Sequence, residues 1–336
     1  MWGFGCTVAR CTGSSSRSPS SPSSAVTIIV EPDGEDAQQL VTAIEGATTS
    51  VYMTMYELDN TSIIDALATR ATAHLDVEVI LDGGVGSGVN NRSVNAPAYT
   101  KLTAAGANVV WSSPAFTFTH EKCVIIDQSV AWIMTMDATA AAPTGNREYL
   151  AIDTAAADVA EATAIFKADH AMQSITPSGA LVVAPTNARA ALVALINSAT
   201  TTLDVEDEGF SDTDPMGIVA AVEAAGNRGV AVHVVIGNTG PPDATSVALV
   251  KAGGAQVVVT GPTSGSGTMA NPYIHGNAIL VDCDGTTCKT GWIGSENMTA
   301  DSLGSNRELG VIFDSQPDLA KIKAAVDTDF AAGSAQ

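Results

Sequence analysis

Hydrophobic positions along the chain fall into two spacings. One is the alternation of a strand, as in Thr49-Ser-Val-Tyr-Met-Thr-Met-Tyr56, where successive side chains take opposite faces. The other is the spacing of a helix face, over Ile63 to Ala73 and Ala98 to Ala105, the second closed by Gly106. Short apolar runs predict further strands at Val77–Leu81, Asn108–Trp111, Lys122–Asp127 and Val130–Met136.

The same order then returns. Thr201–Val205 reads as a strand, and Ile218–Ala225 as a helix stopped by Gly226. Val230–Ile236 is a strand, Ser246–Ala252 a helix, and Gln256–Val259, Ala278–Asp282 and Thr290–Ile293 are strands. A pattern that recurs at this interval predicts a duplicated unit. Strands alternating with helices predict an α/β protein with parallel-rich sheets. The expected segments are a Ser/Pro-rich region over 1–25, one repeat over 26–178 and a second over 179–336. Thr12 to Ser24 holds eight serines and two prolines, too little apolar surface to offset the entropy of ordering.

Composition narrows the function. Hydrophobic residues make up 46% of 336 and charged residues 15%, so a sizeable core is expected. The net charge of −21 lacks the basic footprint of nucleic-acid binding, so DNA and RNA are not the expected partners. A phosphate would enter such a protein against its global field, and local cations would have to draw it in. Cys283 and Cys288 bracket a hairpin tip, which suits a disulfide, with free thiols or a metal as alternatives. Cys123 falls inside a strand and reads as a small buried apolar residue. Gly5-Cys6 before the Ser/Pro stretch has the look of a lipoprotein signal's end, the alternative being an uninformative start. On the first reading the protein is exported or held at the cell envelope.

The candidate chemistry closes each repeat. His120-Glu-Lys122 is followed by Asp127, Asp137 and Asn146-Arg-Glu148. His275-Gly-Asn277 is followed by Asp282, Gly294-Ser-Glu-Asn297 and Asn306-Arg-Glu308. On a strand, His120 and Lys122 share a face, as do His275 and Asn277. A histidine, a cation and neutral donors are what a phosphodiester transition state requires: a nucleophile, a proton donor and clamps on the non-bridging oxygens.

These motifs resemble the phospholipase D superfamily, whose pattern is His-x-Lys, four residues, Asp, then Gly-Ser-x-Asn. His120, Lys122 and Asp127 match the first motif. His275, Asp282, Gly294, Ser295 and Asn297 match the second. The resemblance implies a duplicated α/β sandwich with its active site at the repeat interface and a reaction that uses neither cofactor nor metal. One histidine would form a phosphohistidine and the other would protonate the leaving alcohol. It further implies His120 as nucleophile and His275 as acid/base. Glu148 and Glu308 would orient the imidazoles, and Asp127 and Asp282 would complete the catalytic set in support. Asn277, Ser295, Asn297 and Asp137 would face the substrate. That substrate is expected to be a phospholipid or another small phosphodiester, met by a single chain in peripheral contact with a membrane. Two features depart from the pattern: Asn277 replaces the second lysine, and the first repeat carries Met134-Thr135-Met136-Asp137 where Gly-Ser-x-Asn is expected, with Asp137 at the asparagine. A lost donor of this kind lowers rates by about 100- to 1000-fold. Arg147 and Arg307 are expected to point away from the face of the glutamates. His74, His170 and His233 read as structural, and Trp111, Phe116 and Phe118 as packing residues or pocket walls.

Overall fold

The computed structural model describes residue 23, residues 25–84 and residues 91–336. Gly5-Cys6 and nearly all of the Ser/Pro segment therefore lie outside the described residues. Ser23 is tied down, however: its N–H donates to the carbonyl of Ile312.

The first repeat runs β1 (Val26–Glu31), α1 (Gln38–Glu45), β2 (Ser50–Met55), α2 (Thr61–Thr72), β3 (Asp76–Leu81), α3 (Asn91–Ala104), β4 (Asn108–Trp111), β5 (Cys123–Ile126), β6 (Val130–Met134), α4 (Ala142–Gly145), β7 (Asn146–Asp153) and α5 (Ala156–His170). The second runs β8 (Val182–Ala184), α6 (Ala188–Asn197), β9 (Thr202–Asp207), α7 (Ile218–Asn227), β10 (Ala231–Gly237), α8 (Ala244–Ala252), β11 (Gln256–Thr260), β12 (Tyr273–Ile274), β13 (Ala278–Val281), β14 (Thr290–Gly294), α9 (Ala300–Ser305), β15 (Glu308–Phe313), α10 (Gln316–Ala332) and β16 (Ser334–Ala335).

The first sheet has the order β1-β7-β6-β5-β2-β3-β4, and the second has β8-β15-β14-β13-β9-β10-β11-β16. Position by position these are one sheet built twice. Within these two orders only β2, β3 and β4, and likewise β9, β10 and β11, run parallel, and the other neighbours pair antiparallel; the short β12 adds a parallel pairing to β7 from the second repeat. The sheets are thus mixed rather than parallel-rich. The cause is local: β5, β6 and β7 follow one another through connections too short for a crossover helix, and such strands must pair antiparallel.

Helices α1, α2 and α3 cover the outer face of the first sheet, and α6, α7 and α8 that of the second. The inner faces enclose a shared core that includes Ile125, Ile133, Ala151, Leu280, Ile293 and Val311, flanked by α5 and α10. Every residue of β2 is therefore buried. Cys283 and Cys288 form a disulfide across the tip between β13 and β14, and Cys123 is buried and free. Among the described residues no helix is long and apolar enough to cross a membrane.

Candidate active site

Each histidine lies on the approach to a central strand, His120 before β5 and His275 before β13. Each is fixed by the opposite repeat. The N–H groups of His120 and Glu121 both donate to the carbonyl of Arg307, at 2.9 and 3.0 Å, and the N–H of His275 donates to that of Arg147 at 3.3 Å. β12 pairs with the start of β7 in the other sheet, Ile274 opposite Arg147. Gly276 permits this close passage, since a Cβ there would stand 2.6 Å from the Tyr149 ring.

The side chains cross over in the same way. His120 Nδ1 lies 2.9 Å from Glu308 Oε2, and His275 Nδ1 lies 2.8 Å from Glu148 Oε1. Both carboxylates are fully buried. Asn146 Nδ2 donates to Glu148 and Asn306 Nδ2 to Glu308. The Asn-Arg-Glu motif thus divides its labour: the asparagine steadies the glutamate, and the glutamate orients a histidine. The arginine turns away to an inner helix. Arg147 pairs with Asp329 of α10 at 2.6 Å, and Arg307 with Asp169 of α5 at 2.7 Å. Neither arginine makes up for the missing lysine.

The carboxylates fix the imidazole protons. An ionised carboxylate only accepts, so each Nδ1 carries hydrogen and Nε2 is the ring nitrogen left for chemistry. His120 Nε2 is 2.8 Å from Lys122 Nζ, and the Tyr56 ring packs edge-on against the imidazole. His275 differs. Burial pulls its pKa down, but Glu148 and Glu208 outweigh that and hold it at about 10, so it is an imidazolium at neutral pH. The same charges act in return. Burial pushes Glu308 up, yet His120 and Lys122 hold it below the ordinary carboxylate range.

Both imidazoles open into one cleft of about 370 Å³, whose walls include Tyr56, Glu57, Asp137, Glu208 and Tyr273. Asp137 does face this space. Its Oδ1 accepts from the Glu57 N–H at 3.2 Å, while Oδ2 stands 3.9 Å from Lys122 Nζ and 3.8 Å from His275 Nε2. Asn277 fills the lysine position without reaching His275: its Nδ2 donates to Asn297 Oδ1 at 2.9 Å and its Oδ1 accepts from the Glu208 N–H. Asn297 Nδ2 in turn donates to Glu208 Oε2 at 3.2 Å.

Two sequence expectations need correction, those for the motif aspartates and for Ser295. Asp127 and Asp282 do not join the catalytic set. Asp127 receives the N–H groups of Thr48, Thr49 and Ser50, and Asp282 those of Thr200 and Thr201, at the far ends of β5 and β13 from the histidines. Burial raises their pKa values, but these donors prevail, bringing Asp282 to about 2 and Asp127 lower still. Ser295 does not present its hydroxyl to a substrate. That oxygen accepts from the Leu309 N–H, while the Ser295 carbonyl lies 3.2 Å from His120 Nδ1. Among the aromatics, Trp111 stacks on Tyr99 and Phe118 packs on Tyr56, while Phe116 lies under Arg307 and lines a separate cavity with Arg307 and Asp169.

Glu208, Glu57, Tyr56 and Tyr273 escaped the sequence reading. Aligning the repeats on His120 and His275 puts Glu208 opposite Tyr56, just past the ends of β9 and β2, a register that the sheet makes plain. Among the described residues, no group of three or more His, Cys, Asp or Glu is spaced to hold a metal ion.

The family model described as cardiolipin synthase, PLD-like domain matches residues 40–170 and again 192–332. The chain belongs to the phospholipase D-like family. Members of that superfamily generally process phosphodiesters. No curated protein matches the sequence. Among solved structures, polyphosphate kinase from Porphyromonas gingivalis superposes with a TM-score of 0.67 at 15% identity, covering 90% of this chain and 46% of that one. Phosphatidylserine synthase from Haemophilus influenzae superposes with a TM-score of 0.64 at 14% identity, covering 93% and 87%. At these identities the likeness is one of fold. This chain spans less than half of the polyphosphate kinase.

Proposed function

We propose that this phospholipase D-like protein cleaves or transfers a phospholipid phosphodiester through a phosphohistidine. The observation that carries the reading is the opposed pair of imidazoles, each held at Nδ1 by the other repeat's buried glutamate and presenting Nε2 to one cleft. His120 Nε2 attacks phosphorus as the P–O bond to the leaving alcohol breaks, and the His275 imidazolium gives that oxygen its proton. In the second step neutral His275 takes a proton from water or an acceptor alcohol. The oxygen then attacks phosphorus, and the P–N bond breaks. Lys122 is the cation available to the non-bridging oxygens. Peripheral contact with a lipid surface, at the cell envelope, belongs to the same reading.

Asp137 and Glu208 favour a second reading, a weakly catalytic member that binds a phosphate ligand, because two carboxylates face the space a phosphate must enter. Hydrolysis of phosphatidylcholine and of a chromogenic phosphodiester in EDTA separates the two. The proposal expects turnover that His120→Ala abolishes, and a gain of about 10- to 1000-fold in Asn277→Lys. Activity that survives His120→Ala removes the mechanism. No turnover before or after Asn277→Lys favours the binding reading, and preferential cleavage of single-stranded DNA would identify a nuclease.

A further inference from the structure

The two halves of the cleft are not equivalent, and the difference falls beside the proton donor. Tyr56 packs its ring on His120, whereas the matching residue of the second repeat, Glu208, brings a carboxylate to His275. Glu208 Oε2 stands 4.0 Å from His275 Nε2. The carboxylate is held in place, with Oε1 accepting from the Tyr273 hydroxyl and Oε2 from Asn297 Nδ2. It also remains charged: burial pushes its pKa up, but His275, Tyr273, His120 and Lys122 together hold it below the ordinary range.

The leaving oxygen must come within hydrogen-bond reach of His275 Nε2 to be protonated. A carboxylate 4.0 Å from that nitrogen therefore faces the leaving alcohol and not the other arm of the diester. Glu208 also forms part of the wall of a neighbouring cavity of about 330 Å³, lined by Phe210, Ser211, Thr239 and Asp243 among others. An arm running from His275 into that cavity passes along the carboxylate. A second, independent feature points the same way. Asp137 is 8% exposed, and its Oδ2 faces the cleft with neither Lys122 nor His275 near enough for a hydrogen bond. A phosphate monoanion adds negative charge to this space, and a positive charge on its own alcohol arm offsets the repulsion. The Tyr273 ring, tilted beside His275, adds an aromatic wall suited to a cation.

On the reading of the site as a phosphodiesterase, we infer that Glu208 is a specificity-determining residue that selects a zwitterionic phosphodiester, one whose leaving alcohol carries an ammonium group, over a diester with an uncharged alcohol. The test compares kcat/KM for phosphatidylcholine and phosphatidylglycerol in mixed micelles, for wild type, Glu208→Gln and Glu208→Asp. Wild type is expected to favour phosphatidylcholine, and Glu208→Gln to lower that ratio by about tenfold or more, as loss of a charged partner implies. Glu208→Asp, which keeps the charge, is expected to retain the preference, and it serves as the variant of record should Glu208→Gln fail to fold by thermal melting. An equal loss on both lipids in Glu208→Gln leaves the residue only its effect on His275 and overturns the inference, as does a wild-type preference for phosphatidylglycerol. Both results leave the phosphodiesterase reading standing. Turnover of neither lipid by wild type ends both.

Discussion

At the scale of single residues, the site is a pair of imidazoles made unequal by their neighbours. His275 has Glu148, Asp137 and Glu208 within 4.0 Å, and Glu148 and Glu208 keep its proton on up to about pH 10, while His120 is paired with one carboxylate and touches a lysine. The alkaline limb of kcat/KM, which reports the free protein, should accordingly lie near pH 10. Glu148→Gln removes the larger of the charges holding the proton on His275, so that limb should move down toward the ordinary histidine range in a pH–rate profile. An unmoved limb would show that His275 is not the group titrating. Glu308 is a positioning residue for His120. Glu308→Gln should lower kcat by about 100- to 10,000-fold while leaving KM little changed, the pattern expected when a buried carboxylate that fixes an imidazole tautomer is neutralised.

At the scale of elements, the Asn-Arg-Glu segments join the sheets to the inner helices. Arg147 grips Asp329 of α10 through two nitrogens, and its carbonyl positions His275. Removing one partner of a buried ion pair leaves the other uncompensated, so Arg147→Met should destabilise by about 3–5 kcal/mol, read by denaturant titration. The double variant Arg147→Met, Asp329→Leu should recover most of that loss. This level also shows what the sequence could and could not reveal. The duplication was legible because strands and helices recur in order, and the histidines because His-x-Lys and Gly-Ser-x-Asn are local strings. The crossing of Glu308 to His120 and of Glu148 to His275 was not legible, since strand periodicity tells which residues share a face but not how two sheets dock. Glu208 was invisible for a related reason: it follows β9 by one residue, in a stretch whose only distinguishing feature in sequence is acidity. The motif aspartates misled for the opposite reason. Asp127 and Asp282 recur because each caps a neighbouring strand entry, a structural need that repeats as faithfully as a chemical one.

At the scale of the whole molecule, acid governs stability. Burial holds Glu121 and Glu206 at about 8 and Glu31 at about 7, all above the unfolded value of 4.5. A carboxyl whose folded pKa is raised binds more protons in the folded state, so its contribution is full below 4.5 and declines as pH rises through 7 to 8. His275, raised from 6.5 to about 10, works in the same direction over a higher window. Asp127, Asp282 and Glu308 work the other way, because their lowered values help above the unfolded pKa and fail only as pH falls below about 4. The net charge of −21 adds self-repulsion that mild acid relieves. Tm should therefore be highest near pH 5 and fall steadily toward pH 9 in calorimetric scans. A flat profile would mean that these acids are ionised within the fold.

The exchange of glutamates between the halves makes activity a report on assembly. Each imidazole reaches its working tautomer only when the other half of the chain has arrived, so a folding intermediate with one finished half is chemically silent. During refolding from denaturant, far-UV ellipticity should thus return ahead of turnover, and the interval between the two signals measures the docking of one half upon the other.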